Sequence, residues 1–232
     1  MSDAYSPQAA QQAAAAALTP PMSSTSAPPS DAGAPPTVAR KRPLPGERRE
    51  QILRALATLL EQPGAERITT AVLAKHLQVS EAALYRHFAS KAQMFEGLIV
   101  FIEDSLFSLA NQIQSRETDP AQQIARLLAL VLQFAQKNPG MCRVMVGDAL
   151  ILEHERLSAR INQMWDRLES LLRQSHKAVA EARGSLTPTV DAQAGASLAV
   201  SVLLGRLQRF VRTGFQRLPT EHLDASVQQL LR

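Results

Sequence analysis

The sequence predicts an all-α chain of about nine helices. Aromatic residues make up only 4% of the 232 residues while Leu and Ala abound, a balance that favours helix over sheet. Apolar residues recur at helical spacing from Ile52 almost to the C-terminus, and no convincing strand pattern or fixed-period repeat interrupts them. Capping residues before the apolar stripes, and Pro or Gly after them, divide the pattern into discrete helices.

Residues 1–39 hold 12 Ala, 7 Pro and 6 Ser. The Ala13–Ala17 run is too short to persist as a helix in water, and six prolines between Pro20 and Pro36 oppose a packed element. A disordered tail is expected to extend through residue 45 and to end in the basic arm Arg40, Lys41 and Arg42. From Glu47 a helix with Ile52, Leu53, Leu56 and Leu60 on its stripe should run to Pro63-Gly64. Thr70 is expected to cap a short helix with Val72, Leu73 and Leu77 inward, and Ser80 to open another that reaches about Phe88. Ser90 with Gln93 reads as a capping box for a long fourth helix. Asp119-Pro120 with Gln122 repeats the signal for a fifth, which stops at Asn138-Pro139-Gly140. A short segment to Gly147 follows, then a long helix to about Arg183, a penultimate helix over 190–216 and a last one over 220–231 capped by Thr220. The expected domains are the tail at 1–45, a DNA-binding domain at 46–92 and a helical dimerisation and partner-binding domain at 93–232.

Charge is placed unevenly. Residues 1–39 carry a net −2, residues 40–91 a net +5, and the remainder a net +1. A basic excess confined to that middle stretch points to a polyanion there. Within it, ITTAVLAKHLQVSEAALYRHFASK (Ile68–Lys91) has the layout of a helix-turn-helix: a supporting helix, a tight turn, and a second helix whose outer face enters the major groove. Ala74, Leu77, Val79, Leu84 and Phe88 would lock the two helices together, leaving Glu81, Ala82, Tyr85 and Arg86 outward. The small Ala82 permits close approach to base edges, and Tyr85 and Arg86 can donate to phosphate. Amides at Ser80–Glu81 and at Ser90–Lys91 lie at helix starts, which attract phosphate oxygens. Thr69 and Thr70 read as cap residues whose hydroxyls can also meet phosphate, and His87 as a packing or phosphate-contacting residue. The arm Arg40, Lys41 and Arg42 reads equally as a solvated charge run or as a minor-groove contact.

VSEAALYRHFASK, after ITTAVLAKHL, resembles the DNA-binding domain of the TetR family, which sets three short helices before a larger all-α dimerisation domain. More narrowly, GERREQILRALATLLE, the KNPG turn and ERLSARINQMWDRLESLLRQ resemble the nucleoid occlusion factors within that family, over about residues 46–174 and more loosely beyond. That resemblance implies a homodimer on palindromic double-stranded DNA that antagonises assembly of the division protein FtsZ and keeps the septum off the nucleoid. It implies that an acidic, extended FtsZ tail docks near the fourth and fifth helices, at Phe101, Leu130, Lys137 and Asn138. Leu109 stands where the resemblance implies a basic residue. Each of the four has a structural reading as well: Leu130 as core, Phe101 as an exposed aromatic, Asn138 as a helix cap, Lys137 as a partner for helix-end carbonyls.

The alternative is a ligand-responsive TetR-family transcriptional repressor, whose C-terminal domain would need a pocket of roughly a few hundred Å³. The inward stripes, nearly all Leu, Ile, Met and Phe, favour a filled core instead. No G-x-G-x-x-G, P-loop, G-x-S-x-G or H-E-x-x-H pattern occurs, and the five histidines are dispersed. No catalytic site, metal site or cofactor is expected. Glu153-His154-Glu155 reads as a solvated helix face, and the single cysteine, Cys142, as a buried small hydrophobe. No apolar run reaches a membrane-spanning length, and the segment 1–39 lacks the basic start of a signal peptide. The expected location is the cytoplasm, on the nucleoid. In the penultimate helix, Ala194, Ser197, Leu198, Ser201, Leu204 and Gly205 form a small-residue face. Paired with the last helix, it would build a four-helix bundle between subunits.

Overall fold

The computed structural model describes residues 47–62 and 68–231; the expected tail, the arm Arg40, Lys41 and Arg42, and the Pro63-Gly64 stop lie outside them. Among the described residues the chain forms nine α-helices and no strand. These are α1 (Glu47–Leu60), α2 (Thr70–His76), α3 (Glu81–Tyr85), α4 (Lys91–Arg116), α5 (Pro120–Lys137), α6 (Pro139–Met145), α7 (Glu155–Ala182), α8 (Pro188–Arg212) and α9 (Leu223–Leu230), with a 3-10 turn at Asp148–Leu150 before α7.

Local chemistry sets most of the boundaries. Ser90 caps α4 by accepting from the Gln93 N–H at 3.2 Å, and the Gln93 side chain reaches back to the Ala89 N–H at 2.8 Å. Asp119 caps α5 by accepting from the Ala121 N–H at 2.9 Å, with Pro120 at the first helical position. A side-chain cap of this kind is worth about 1 kcal/mol.

Several boundaries differ from the sequence reading, each for a local reason. Thr69, not Thr70, caps α2, and Val72 is 46% exposed instead of inward. Helix α3 ends at Tyr85, not Phe88, because Phe88 turns into the core, where the Arg49 guanidinium lies 4.1 Å from its ring centroid. At α5 the reach-back is made by Gln123, which donates to the Glu117 carbonyl at 2.7 Å, while Gln122 stays exposed. Helix α8 stops at Arg212 in a pair of reversed bonds, Phe215 N–H to Phe210 O and Gly214 N–H to Val211 O. Gly214 (φ 58°) and Phe215 (φ 66°) are left-handed there, and the Phe210 and Phe215 rings meet edge-on at 5.1 Å. Thr220 does not cap α9: its hydroxyl donates to Gln136 on α5, and the residue before α9 is His222 in a left-handed conformation.

One hydrophobic core runs unbroken from Ile52 of α1 to Val227 of α9. Helices α7 and α8 share the most extensive packing, and α5 lies against α4, α7 and α8. Within the chain α8 packs most extensively on α7 and also touches α9. The N-terminal end, α1 to α3, is joined to the body where α1 meets α6. Gly140 sits so close there that a Cβ would stand 2.0 Å from the Ala57 carbonyl oxygen. Beside it, Arg143 donates through Nη1 to the Leu60 carbonyl at 3.3 Å and through Nε to Asp148 at 2.6 Å. The last carbonyl of α1 thus receives a cation, as helix C-termini favour. Desolvation raises the Glu61 carboxyl pKa, offset in part by a hydrogen bond from the Gly140 N–H.

Cys142 is fully buried, and burial followed by the Asp148 charge pushes its thiol up to about 12. Cys142 thus packs as the buried small hydrophobe that the sequence predicts. His176 of α7 packs on Gly195 of α8, where a Cβ would meet Nδ1 at 2.6 Å, and its Nε2 is buried without a hydrogen-bond partner.

These contacts can be tested through stability. Gly140→Ala should lower stability by about 1–3 kcal/mol, the usual cost of forcing atoms into a packed joint, and an unchanged melting temperature would show that the joint yields freely. For His176, burial first and the Arg183 charge second hold the imidazole below its ordinary pKa. The folded state favours the neutral ring, so the unfolded chain takes up the proton first as pH falls. Its contribution is complete above the ordinary histidine range and is lost on acidification through and below it. The melting temperature should fall between about pH 7.5 and pH 5.5 (about one unit either side of a free histidine), and His176→Leu should flatten part of that slope. An identical slope in the variant would remove His176 from the account.

Candidate nucleic-acid interface

Helices α2 and α3 with the turn between them form the helix-turn-helix. Leu73, Ala74 and Leu84 are buried between the helices and α1. Leu77 and Val79 are half-buried against the same core. The turn is made by Gln78, left-handed at φ 54°, a conformation that costs a non-glycine residue about 1 kcal/mol. Ser80 then caps α3, its Oγ accepting from the Ala83 N–H at 3.2 Å.

This packing leaves Glu81, Ala82, Tyr85 and Arg86 exposed on one side of α3, as the spacing predicts. Tyr85 is 46% exposed. Thr69 is exposed too, with its Oγ1 committed to the Val72 N–H at 3.2 Å. Thr70 crosses to the second helix: its hydroxyl donates to Glu81 Oε2 at 2.6 Å and accepts from the Tyr85 hydroxyl at 3.5 Å. The structure thus brings Thr70, Glu81 and Tyr85 into one hydrogen-bonded row across the two helices. His87 is half-buried, and its carbonyl accepts from Arg49.

Lys91 is the first residue of α4. Its ammonium pairs with Glu153, and lies 5.7 Å from the Phe95 ring centroid. Glu153 is therefore not part of a solvated face; it ties the start of α4 to the turn before α7. His154 caps α7, its Nδ1 accepting from the Arg156 N–H. No signal local to Glu153 announces a partner so distant in the chain. Sequence reasoning also passed over Lys75, exposed in the last turn of α2, because its spacing is that of any solvated lysine.

The four residues that the resemblance assigned to FtsZ lie on the α4–α5 hairpin. The two helices are joined by residues 117–119 and pack against each other. Phe101 lies four helical turns before the end of α4, and Lys137 is the last residue of α5, nearly five turns from its start. At the rise of an α-helix both stand roughly 23–26 Å from the connection, at the same end of the hairpin. Lys137 is exposed. Phe101 and Leu130 are half-buried against the core. Asn138 is buried, 8% exposed, and its amide donates to the Phe134 carbonyl at 2.8 Å instead of capping α6. Leu109 is half-buried. Among the described residues no cluster of His, Cys, Asp and Glu could hold a metal ion.

An exposed, pre-ordered recognition helix on an all-α body defines a TetR-type helix-turn-helix DNA-binding protein. Residues 52–98 match the bacterial regulatory proteins of the tetR family, and residues 119–232 match the tetracyclin repressor-like C-terminal domain of the SlmA-like type. A transcriptional regulator of that family from Thermus thermophilus, PfmR, is similar in fold. Its TM-score is 0.65 at 22% identity, over 78% of this chain and 97% of that one. The nucleoid occlusion factor SlmA of Idiomarina loihiensis is 49% identical over 183 residues, covering 78% of this chain and 92% of the relative. That of Vibrio cholerae is 51% identical over 178 residues, covering 76% and 90%. The chain belongs to the SlmA family of nucleoid occlusion factors. Such proteins are DNA-binding regulators, and no described helix is long and apolar enough to cross a membrane.

The outward side chains give a direct test. Tyr85→Ala or Arg86→Ala should weaken binding to DNA roughly tenfold or more, the scale of a lost charge-assisted contact, with the circular dichroism and melting temperature unchanged. Wild-type affinity should also fall steeply with salt as phosphate counterions are released. Unaltered affinity in both variants, measured by fluorescence anisotropy, would take these residues off the contact surface.

Proposed function

We propose that the protein binds palindromic chromosomal sites as a homodimer and, on DNA, antagonises FtsZ assembly so that no septum forms over the nucleoid. In this reading the DNA contacts are Thr69, Thr70, Ser80, Glu81, Ala82, Tyr85, Arg86 and His87, with Lys91 shared between Glu153 and phosphate. The arm Arg40, Lys41 and Arg42 adds backbone or minor-groove contacts. Residues 46–92 act as the DNA-binding domain and 93–232 as the dimerisation and partner-binding domain, behind the Ala/Pro/Ser-rich segment 1–45.

The single observation that carries a protein partner over a small ligand is the filled interior of the second domain. The void between α4, α5 and α7, beside Leu106, Leu130, Met145 and Trp165, measures about 10 Å³. A chamber for an effector needs roughly thirty times that volume or more, and no polar atoms converge on it. A regulator with a closed core must be read through its surface. Lys137 offers an exposed cation at the end of the hairpin and Phe101 a half-buried aromatic edge, a pairing that suits an acidic, extended tail. Asn138 supports this end from beneath by holding the last turn of α5.

Dimerisation is supported by α8. Val190 (65% exposed), Ala194, Ser197, Leu198 (53% exposed), Ser201 and Gly205 line one outward face, and open space lies where a Gly205 Cβ would point. Because α8 is packed on α7, the bundle between subunits would be built from the α7–α8 hairpin of each chain.

The test is anisotropy of a labelled FtsZ C-terminal tail peptide titrated with the protein, with and without palindromic DNA. Saturable binding that DNA strengthens, and that Lys137→Ala or Phe101→Ala weakens roughly tenfold, is expected. Absence of binding under both conditions would overturn the FtsZ reading and leave the DNA-binding assignment standing.

A further inference from the structure

Glu81 is the only acid between Ile68 and Lys91, and it stands on the exposed side of the recognition helix among residues that face a polyanion. A carboxylate there repels phosphate, and non-specific affinity would be better served by almost any other side chain. The structure does not leave it free to swing away. The Thr70 hydroxyl, on the supporting helix, donates to its Oε2 at 2.6 Å, and the Tyr85 hydroxyl, one helical turn further along α3, donates to Thr70. Two side chains, one from each helix, hold one carboxylate in place at the first residue of α3, the end of a recognition helix that meets base edges. Its neighbour Ala82 is small enough to let that end approach closely.

We infer that Glu81 is a specificity-determining residue that reads cytosine in the major groove of each half-site. This rests on the DNA-binding reading and names the base at its centre. An ionised carboxylate only accepts hydrogen bonds. With Oε2 satisfied by Thr70, Oε1 is the atom presented to the groove. Cytosine shows an N4 amino donor and no acceptor on its own major-groove edge. Thymine presents an acceptor and a methyl, guanine two acceptors, and adenine an acceptor beside its amino group. Cytosine is thus the base that a fixed acceptor selects, and every other base, like every phosphate, is disfavoured by the same charge. Thr70 acts as a positioning residue: its proton is spent on Glu81, so the carboxylate cannot rotate to avoid a wrong base. Glu81 accordingly sacrifices general affinity for discrimination.

The experiment starts with the full-length wild-type protein and duplexes selected from a pool of random palindromes. Each base pair of the recovered half-site is then replaced in turn, and affinities are measured by anisotropy for wild type, Glu81→Ala, Glu81→Gln and Thr70→Val. The wild type should lose about tenfold or more on replacing one particular C·G pair by T·A, the scale of one misread base. Glu81→Ala should bind the two duplexes within about twofold of each other, and should bind random duplex more tightly than wild type does at low salt. Glu81→Gln should move the preference toward adenine, whose N6 and N7 suit an amide. Thr70→Val should narrow the discrimination without abolishing binding. Full retention of every base preference by Glu81→Ala would overturn the inference. So would a uniform loss of affinity on all duplexes, the mark of a residue that only braces the two helices. A wild type that selects no duplex would overturn the DNA-binding reading beneath it, an outcome the selection step reports separately.

Discussion

The approach of α6 to α1 at Gly140 is the constraint on which the DNA-binding end depends. A helix-turn-helix of two short helices buries little surface by itself, and α2 and α3 span only two turns and little more than one. Their stability and orientation come from α1, and α1 is in turn held by the body. The hold is backbone against backbone: with no Cβ at Gly140, α6 comes against the Ala57 carbonyl. Arg143 can then reach both the end of α1 and Asp148. A larger residue would separate the helices and leave the Arg143 guanidinium short of its carbonyl. The same junction sits one turn beyond Lys137 and Asn138, so the end of the hairpin assigned to the protein partner and the helix that supports the DNA reader are mechanical neighbours.

Electrostatics on the reading face are finer than the net charge suggests. A basic excess draws the region to DNA, yet Lys91 is partly neutralised by Glu153 and one acid is fixed in the middle of the face. Attraction and discrimination are thereby carried by different residues. Arg86 supplies donors that any phosphate satisfies, while Glu81 supplies an acceptor that few groups in the groove satisfy.

The interior of the body is occupied by its own side chains. Leu, Ile, Met, Phe and Trp165 fill the space between α4, α5 and α7, and the indole N–H is spent on the Met145 carbonyl at 2.9 Å. The same fold can serve as a ligand-gated repressor only where that space is opened. In the reading proposed above, partners meet three exposed surfaces: the α2–α3 face, the end of the α4–α5 hairpin and the small-residue face of α8.

Features governed by local chemistry are legible along the chain. The apolar spacing marked the helices, Ser80, Ser90 and Asp119 marked their starts, and Ala74, Leu84 and Phe88 against Glu81, Ala82, Tyr85 and Arg86 separated the inner from the outer side of the reader. Wherever a side chain chooses between a local and a distant partner, packing settles the outcome. Thr220 has the look of a cap and bonds Gln136 instead; Glu153 looks solvated and pairs with Lys91; Asn138 looks available and is buried; Val72 looks inward and is exposed. Spacing along a helix states which residues share a face, but the face that is buried depends on neighbours far away in the chain. The pairing of α8 with α7, and the link from Thr70 to Glu81, are contacts of that kind: no periodicity encodes them, because each is settled by where the packed helices bring two side chains together.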